Sequence, residues 1–238
     1  MKLFVTDYDE TLFVNDIDLK ENIKMLKKLQ ENDIKIVIAT GRSYPSIKNQ
    51  IDIYNIPYDY IICADGSILY DNNGNLLKLY EMDNKILEPF KEFYKDLNYE
   101  EMQFVYKTGY SNILTSINGL LGINVCISNE KLTKEVKDKL LEMSNTYSEY
   151  SFFCYTHTKA SYLCVKPKGI TKATYISYLM DEYHVNKKDV YVIGDSYNDY
   201  DMIKEYNGVA MKSSCPEILE IVNKTYSSVS DYIKDILN

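Results

Sequence analysis

Leu3-Phe4-Val5-Thr6-Asp7-Tyr8-Asp9-Glu10-Thr11-Leu12 is the stretch that decides the fold. Leu3 to Val5 read as an apolar strand that delivers Asp7, and two residues on Asp9, at its end. Side chains alternate faces along an extended backbone, so these two carboxylates lie on the same side. A strand-borne carboxylate can attack phosphorus while its neighbour handles the leaving group's proton, and the pattern therefore points to phosphoryl transfer. Spacing alone is not diagnostic. Asp-x-Asp recurs at Asp16/Asp18 and Asp199/Asp201, where a solvated loop or helix face suffices, so position in the fold must decide.

Working outward, a strand at Leu3 to Thr6 is followed by an amphipathic helix at Leu19 to Gln30, with Ile23, Leu26 and Leu29 on one stripe. A buried strand at Ile34 to Ala39, a helix from Ser43 to Ile53 and a strand at Tyr60 to Cys63 come next. Such β-α-β-α-β alternation predicts an α/β fold. Its parallel sheet would be covered by helices on both faces, with the ligand site beyond the carboxyl ends of the strands.

After Gly66 the pattern changes. Ile68 to Tyr70 and Leu76 to Tyr80 flank Asp71-Asn72-Asn73-Gly74, a hairpin signal. Residues 82 to 158 then predict a helix at Lys85 to Leu97, strands at Gln103 to Tyr106, Ile113 to Thr115 and Ile123 to Ile127, and a helix at Lys131 to Met143. Strands at Ser151 to Tyr155 and Tyr162 to Val165 follow. The opening style resumes with a helix at Thr171 to Tyr183, a strand at Val190 to Ile193, a helix after Asn198 and a strand at Gly208 to Ala210. Helices at Pro216 to Val222 and Val229 to Leu237 close the chain. The expectation is a split α/β core, 1–81 and 161–238, carrying an inserted α+β domain at 82–160.

The chain has 238 residues, long enough to bury a substantial core. Its 35 acidic against 27 basic residues give a net charge of −8, which opposes binding to nucleic acid or anionic membranes. No apolar run approaches the roughly 20 residues that span a bilayer, and acidic residues interrupt the start where a secretory signal would be apolar. A cytoplasmic protein is expected. Five scattered cysteines with no Cys-x-x-Cys pair indicate neither a disulfide framework nor a zinc site. Only Arg42 among the basic residues is arginine. It stands in Thr40-Gly41-Arg42, where a bidentate phosphate or carboxylate contact favours a guanidinium, although a surface position would serve it equally.

Three strand ends converge if these segments share one sheet: Asp7 with Asp9, Thr40-Gly41-Arg42, and Gly194-Asp195-Ser196-Tyr197-Asn198-Asp199. Asp7, Asp195 and Asn198 or Asp199 would then offer the hard oxygen ligands that Mg²⁺ prefers. Lys168 and Lys172 both lie where the chain returns to the core, and either can neutralise a phosphoryl group. Taken singly, each piece has a plainer explanation, such as a helix cap for Asn198 or Asp199 and a solvated side chain for either lysine.

Together, in this order, the motifs resemble the haloacid dehalogenase superfamily, specifically its Cof-type phosphatases with a large inserted cap. The resemblance spans nearly the whole chain and implies a Rossmann-like core whose cap sets substrate preference. It further implies Asp7 as nucleophile, Asp9 as general acid/base and, through its backbone carbonyl, a Mg²⁺ ligand. Thr40 is matched to the phosphate-binding hydroxyl and Lys172 to the motif lysine; Asp7, Asp195 and Asp199 complete the metal site. Gly41, Arg42 and Asn198 join Thr40 and Lys172 as phosphate-binding candidates, and Tyr155, His157 and Lys159 are candidate cap contacts. Asp65 stands where many relatives carry Asn, and Lys212-Ser213-Ser214 where Gly-Asn-Ala is common. The implied activity is Mg²⁺-dependent hydrolysis of a small phosphorylated metabolite through an aspartyl-phosphate. A phosphomutase is the competing enzyme, and a phospho-receiver or non-catalytic binding protein the competing class.

Overall fold

The structure, a computed structural model, describes residues 1–95, 97, 99–114, 118–156 and 160–238. The first elements are β1 (Lys2–Asp7), α1 (Asp16–Glu31), β2 (Ile34–Ala39), α2 (Tyr44–Tyr54), β3 (Tyr60–Cys63), β4 (Ile68–Asp71) and β5 (Leu76–Leu79). Next come α3 (Leu87–Tyr94), β6 (Glu101–Tyr106), β7 (Gly109–Ser111), β8 (Leu120–Ser128), α4 (Lys134–Thr146), β9 (Tyr150–Thr156) and β10 (Ala160–Pro167). The last are α5 (Thr174–Tyr183), β11 (Val190–Gly194), α6 (Tyr200–Glu205), β12 (Val209–Met211), α7 (Pro216–Leu219), β13 (Thr225–Tyr226) and α8 (Val229–Leu237).

Two compact units result: Met1–Leu79 with Thr171–Asn238, and Tyr80–Ile170. The second boundary thus moves from the expected 160/161 to 170/171. The reason is that β10 pairs on one side with β8 and on the other with β9, which makes it an interior strand of the inserted unit.

In the first unit eight strands run in the order β13-β12-β11-β1-β2-β3-β4-β5. β13 through β3 are mutually parallel, whereas β4 and β5 attach antiparallel at one edge, so the sheet is mixed rather than wholly parallel. β1 lies inside, with Val5 opposite both Val192 and Val37. A parallel strand covered on both faces needs apolar residues at every position, and Leu3, Phe4 and Val5 are fully buried. One face packs Leu3, Val5, Val37, Ile62 and Val192 against Ile176 and Leu179 of α5 and Met202 and Ile203 of α6.

α1 starts at Asn15, whose side chain accepts from Ile17 N and Asp18 N at 3.0 Å each. Its buried Asn22 donates from Nδ2 to Leu12 O at 2.9 Å and accepts from Ser230 N at 2.8 Å. That one carboxamide ties the loop after β1 to the start of α8. The α5 helix begins three residues later than expected, because Thr171, Lys172 and Ala173 form a turn in which Thr174 N donates to Thr171 O at 2.9 Å. Gly66 packs against that turn: with φ +107° and Thr171 O 2.0 Å from where a Cβ would stand, the position admits only glycine.

The inserted unit is an antiparallel sheet in the order β7-β6-β8-β10-β9. Its core sets Phe90 of α3 and Leu140 of α4 with Ile123, Val125 and Leu163 of the sheet. The expected strand at Ile113 to Thr115 is displaced to Gly109–Ser111, since Gly109 at φ +139° closes a tight hairpin that sets Tyr106 opposite Gly109. Ile113 is left exposed, and Thr115 lies outside the described residues. Among the described residues no helix is long and apolar enough to cross a membrane.

Candidate active site

Three parallel strands place the site. β1 ends at Asp7, Thr40 follows β2, and Asp195 follows β11. Because β1 is hydrogen-bonded to both other strands, these residues emerge side by side at the carboxyl edge. Thr40 N donates to Ile62 O at 2.8 Å, fixing the strand end.

The centre is an ionic cluster with almost no exposure. Lys172 Nζ donates to Asp7 Oδ1 at 2.6 Å and to Asp199 Oδ1 at 2.7 Å, and the side chains of Lys172, Asp7 and Asp199 are 1%, 6% and 0% exposed. Asp199 Oδ2 accepts from the backbone amides of Asp195 and Ser196 at 3.0 and 3.1 Å. Both oxygens of Asp199 are therefore engaged, and it serves as the anchor that holds the lysine and the loop. Gly194 makes room for it, since a Cβ there would lie 2.6 Å from Asp199 Cγ.

Asp195 Oδ1 accepts from Thr11 Oγ1 at 2.7 Å and its Oδ2 from Ser196 Oγ at 2.8 Å. Thr11 reaches it because the chain turns sharply after β1, with Glu10 at φ +60° and Leu12 N donating to Asp7 O at 3.3 Å. Asp7, Asp195 and Asp199 present carboxylate oxygens all within 4.8 Å of one another.

Three carboxylates face one ammonium, and the charges do not balance. Burial pushes Asp7 well above the usual carboxylate range, with Lys172 pulling down and Asp199 and Asp195 pushing further up. Burial also raises Asp195, reinforced by the neighbouring Asp199. Burial works against the charge of Lys172, but Asp199 and Asp7 outweigh it and hold the ammonium more firmly protonated than usual. The surplus of buried negative charge on hard oxygen donors fits a divalent cation such as Mg²⁺.

Around this centre the other expected residues fall differently. Asp9 is half exposed and receives a bidentate contact from Arg42, with Nη2 to Oδ1 at 2.6 Å and Nε to Oδ2 at 2.9 Å. The sole arginine thus grips a carboxylate of the protein itself and lies over the Tyr8 ring at 5.0 Å. Thr40 Oγ1 accepts from Arg42 N at 3.1 Å, so its own proton points elsewhere. Gly41 packs against the Asp65 carboxylate. Asn198 donates from Nδ2 to Asp65 Oδ1 at 2.9 Å, while its buried Oδ1 has no partner, a cost of about 1–3 kcal/mol if nothing satisfies it. Lys168 is exposed in the inserted unit, which leaves Lys172 as the site lysine. Tyr155 stacks on Tyr162 at 5.2 Å, whereas His157 and Lys159 lie outside the described residues.

Reading the sequence assigned no role to Thr11 or Ser196. Each stands directly beside an acidic residue, Thr11 after Glu10 and Ser196 after Asp195, the one available signal. Ser214, in the run that departs from the common pattern, donates to Gly194 O at 3.4 Å and so supports the same strand end.

The haloacid dehalogenase-like hydrolase family model matches residues 4–118 and 115–232, and the chain belongs to that family. It is a hydrolase of phosphoric monoesters of the haloacid dehalogenase type. A Bacillus subtilis relative, 5-amino-6-(5-phospho-D-ribitylamino)uracil phosphatase, is 28% identical over 246 residues, covering 99% of this chain and 90% of that one. Among solved structures, a superfamily phosphatase from Bacteroides thetaiotaomicron superposes with a TM-score of 0.79 at 22% identity, covering 100% of this chain and 94% of that one. A subclass IIB sugar phosphatase gives 0.77 at 17% identity, with 99% of each chain covered.

Proposed function

We propose that the protein is a Mg²⁺-dependent phosphatase of small phosphorylated metabolites that works through an aspartyl-phosphate on Asp7. The observation that carries this reading is the buried Asp7–Lys172–Asp199 cluster beside Asp195. Lys172 holds Asp7 Oδ1, while Oδ2 has no hydrogen-bond partner among the described residues and is the attacking oxygen. A bond forms from that oxygen to phosphorus as the ester P–O bond breaks, and the departing alkoxide takes a proton from Asp9. Asp9 then removes a proton from water, which attacks the same phosphorus and releases phosphate and free Asp7. Arg42 grips the Asp9 carboxylate in this structure and must let go for Asp9 to face the leaving group and then the attacking water.

Lys172 has three N–H groups and uses two on Asp7 and Asp199, so the third is left for a phosphoryl oxygen. The Thr40 hydroxyl proton is a second donor to that group. Asp7 and Asp195, with the Asp9 backbone carbonyl, would hold Mg²⁺, which when bound neutralises the phosphoryl oxygens so that an anionic nucleophile can approach. The Bacillus subtilis relative's named substrate is itself a phosphorylated small molecule, in keeping with this class. Phosphate release from a generic aryl phosphate should show multiple turnovers with Mg²⁺ and stop with excess chelator. Turnover that survives chelation would refute the metal-dependent reading.

The pH dependence follows from the raised carboxyls. Asp7 and Asp195 bind their protons more tightly in the folded than in the unfolded chain. Their contribution to stability is complete below about pH 4, the unfolded value, and is lost as the pH climbs through the raised one. Mg²⁺ favours the charged forms and opposes that loss. The rise in melting temperature brought by Mg²⁺ should therefore grow between about pH 5 and about pH 8 and vanish in Asp195→Asn. A rise that stays flat or shrinks over that range would argue against these carboxylates as the cation site.

A further inference from the structure

Arg42 is the one arginine of the chain, and its guanidinium holds a carboxylate that the reaction needs elsewhere. Nη2 donates to Asp9 Oδ1 at 2.6 Å and Nε to Asp9 Oδ2 at 2.9 Å, with both side chains partly open to solvent. A planar fork that meets two oxygens at once is what a lysine ammonium cannot offer. The backbone around Asp9 is fixed, since Phe13 N donates to Tyr8 O at 2.8 Å and Glu10 N to Phe13 O at 3.0 Å. Freeing the carboxylate is therefore a rotation of the Asp9 side chain.

Arg42 is held in ways that do not depend on Asp9. Its guanidinium lies 5.0 Å over the ring of Tyr8, which is fully buried and stacked on Phe13 at 5.9 Å. Its backbone amide donates to Thr40 Oγ1 at 3.1 Å, and its carbonyl accepts from Ala64 N at 2.9 Å. A guanidinium over an aromatic face stays attracted to it when its anion departs. When Asp9 turns to the leaving oxygen, the fork stays behind and the place of the carboxylate falls vacant. Both positions of that short side chain pivot on one Cα, so the vacated place lies next to the reacting ester.

We propose that this vacated place is a subsite for a carboxylate on the leaving group, so that Arg42 passes from Asp9 to the substrate and selects acidic phosphate esters. The occupant seen in the structure is itself a carboxylate bound through both oxygens, which sets the size and charge of the ligand that the fork accepts. For an ester without a second anion, opening the Arg42–Asp9 pair breaks a contact that nothing replaces. An acidic ester supplies a new bidentate contact in its place. Asp9, which carries the proton in the first half of the reaction, does not repel it. The proposal rests on the functional reading above and names the substrate class within it.

Glycerol 2-phosphate and 2-phosphoglycerate differ only in a hydroxymethyl group against a carboxylate on the ester carbon. Each is titrated as a competitor of aryl phosphate hydrolysis with Mg²⁺ present, for wild type, Arg42→Gln and Arg42→Lys. The wild type should prefer 2-phosphoglycerate by about 10- to 100-fold, the worth of a charge-assisted bidentate contact. That preference should vanish in Arg42→Gln and shrink to a small part in Arg42→Lys, which keeps the charge and loses the fork. Aryl phosphate has no second anion, and its kcat/KM should rise about two- to fivefold in Arg42→Gln, where Asp9 no longer has to leave an exposed pair. A merely structural role would weaken all three compounds together. Should Arg42→Gln fail to fold, Arg42→Lys carries the test. A wild type that turns over aryl phosphate with no preference between the competitors overturns the proposal, as does a preference that survives in Arg42→Gln or a variant that loses all three compounds alike; the functional reading stands in each case. A wild type inert toward aryl phosphate removes that reading and this proposal with it.

Discussion

Replacing Asp7 by Asn should lower phosphate release on the order of 10⁴-fold or more while leaving the fold intact. The carboxamide keeps the size of the side chain, and its oxygen can still accept from Lys172 Nζ, now 2.6 Å from Asp7 Oδ1. What disappears is the anionic oxygen that bonds to phosphorus. No neighbour can take its place, since Asp199 has both oxygens committed and Asp195 accepts from Thr11 and Ser196. The variant also relieves the excess negative charge at the cluster, so its melting temperature without Mg²⁺ should equal or exceed that of the wild type. Near-normal turnover in a clean preparation of a stable variant would remove Asp7 from the reaction.

Replacing Lys172 by Ala should act on stability and activity together. The ammonium is the one cation touching Asp7 and Asp199 among the described residues, and all three are nearly inaccessible to water. Removing one member of a buried ionic cluster leaves uncompensated charge and costs about 3–5 kcal/mol. Without the lysine the Asp7 carboxyl rises further, so the loss grows as the pH increases through its titration. Denaturant unfolding near pH 5 and near pH 8 would therefore show the smaller deficit at the lower pH. Activity should fall roughly 10²–10³-fold even where the variant is folded, because a donor to the phosphoryl group is gone. Equal stability of variant and wild type at both pH values would mean that the cluster is not ionic.

Much of this was legible along the chain because the relevant signals are local. The Leu3-Phe4-Val5 run, the Ile36 to Ala39 run and Val190 to Ile193 are apolar without alternation, which only strands buried on both faces require. Each is followed at once by the polar residues that make the site. The hairpin at Asp71 to Gly74 was equally plain, since Asp71 Oδ1 accepts from Asn73 N and Asn75 N within the turn itself. For the site lysine the residue pattern leaves both Lys168 and Lys172 open, and the family resemblance matches Lys172. In the structure burial separates them, and burial depends on the turn at Thr171 that Gly66 accommodates.

Sequence by itself determined the strand–helix alternation, the presence of an insertion and the carboxylates offered to the centre, because period and motif spacing are properties of neighbouring residues. Only the tertiary structure decided the partners. Thr11 meets Asp195 across 184 positions, Lys172 meets Asp7 across 165, and Asn198 meets Asp65 across 133. Arg42 closes on Asp9 rather than standing open to phosphate. Such pairings follow from the order and register in which the sheet brings β11, β1 and β2 together, and no local pattern of residues encodes that register.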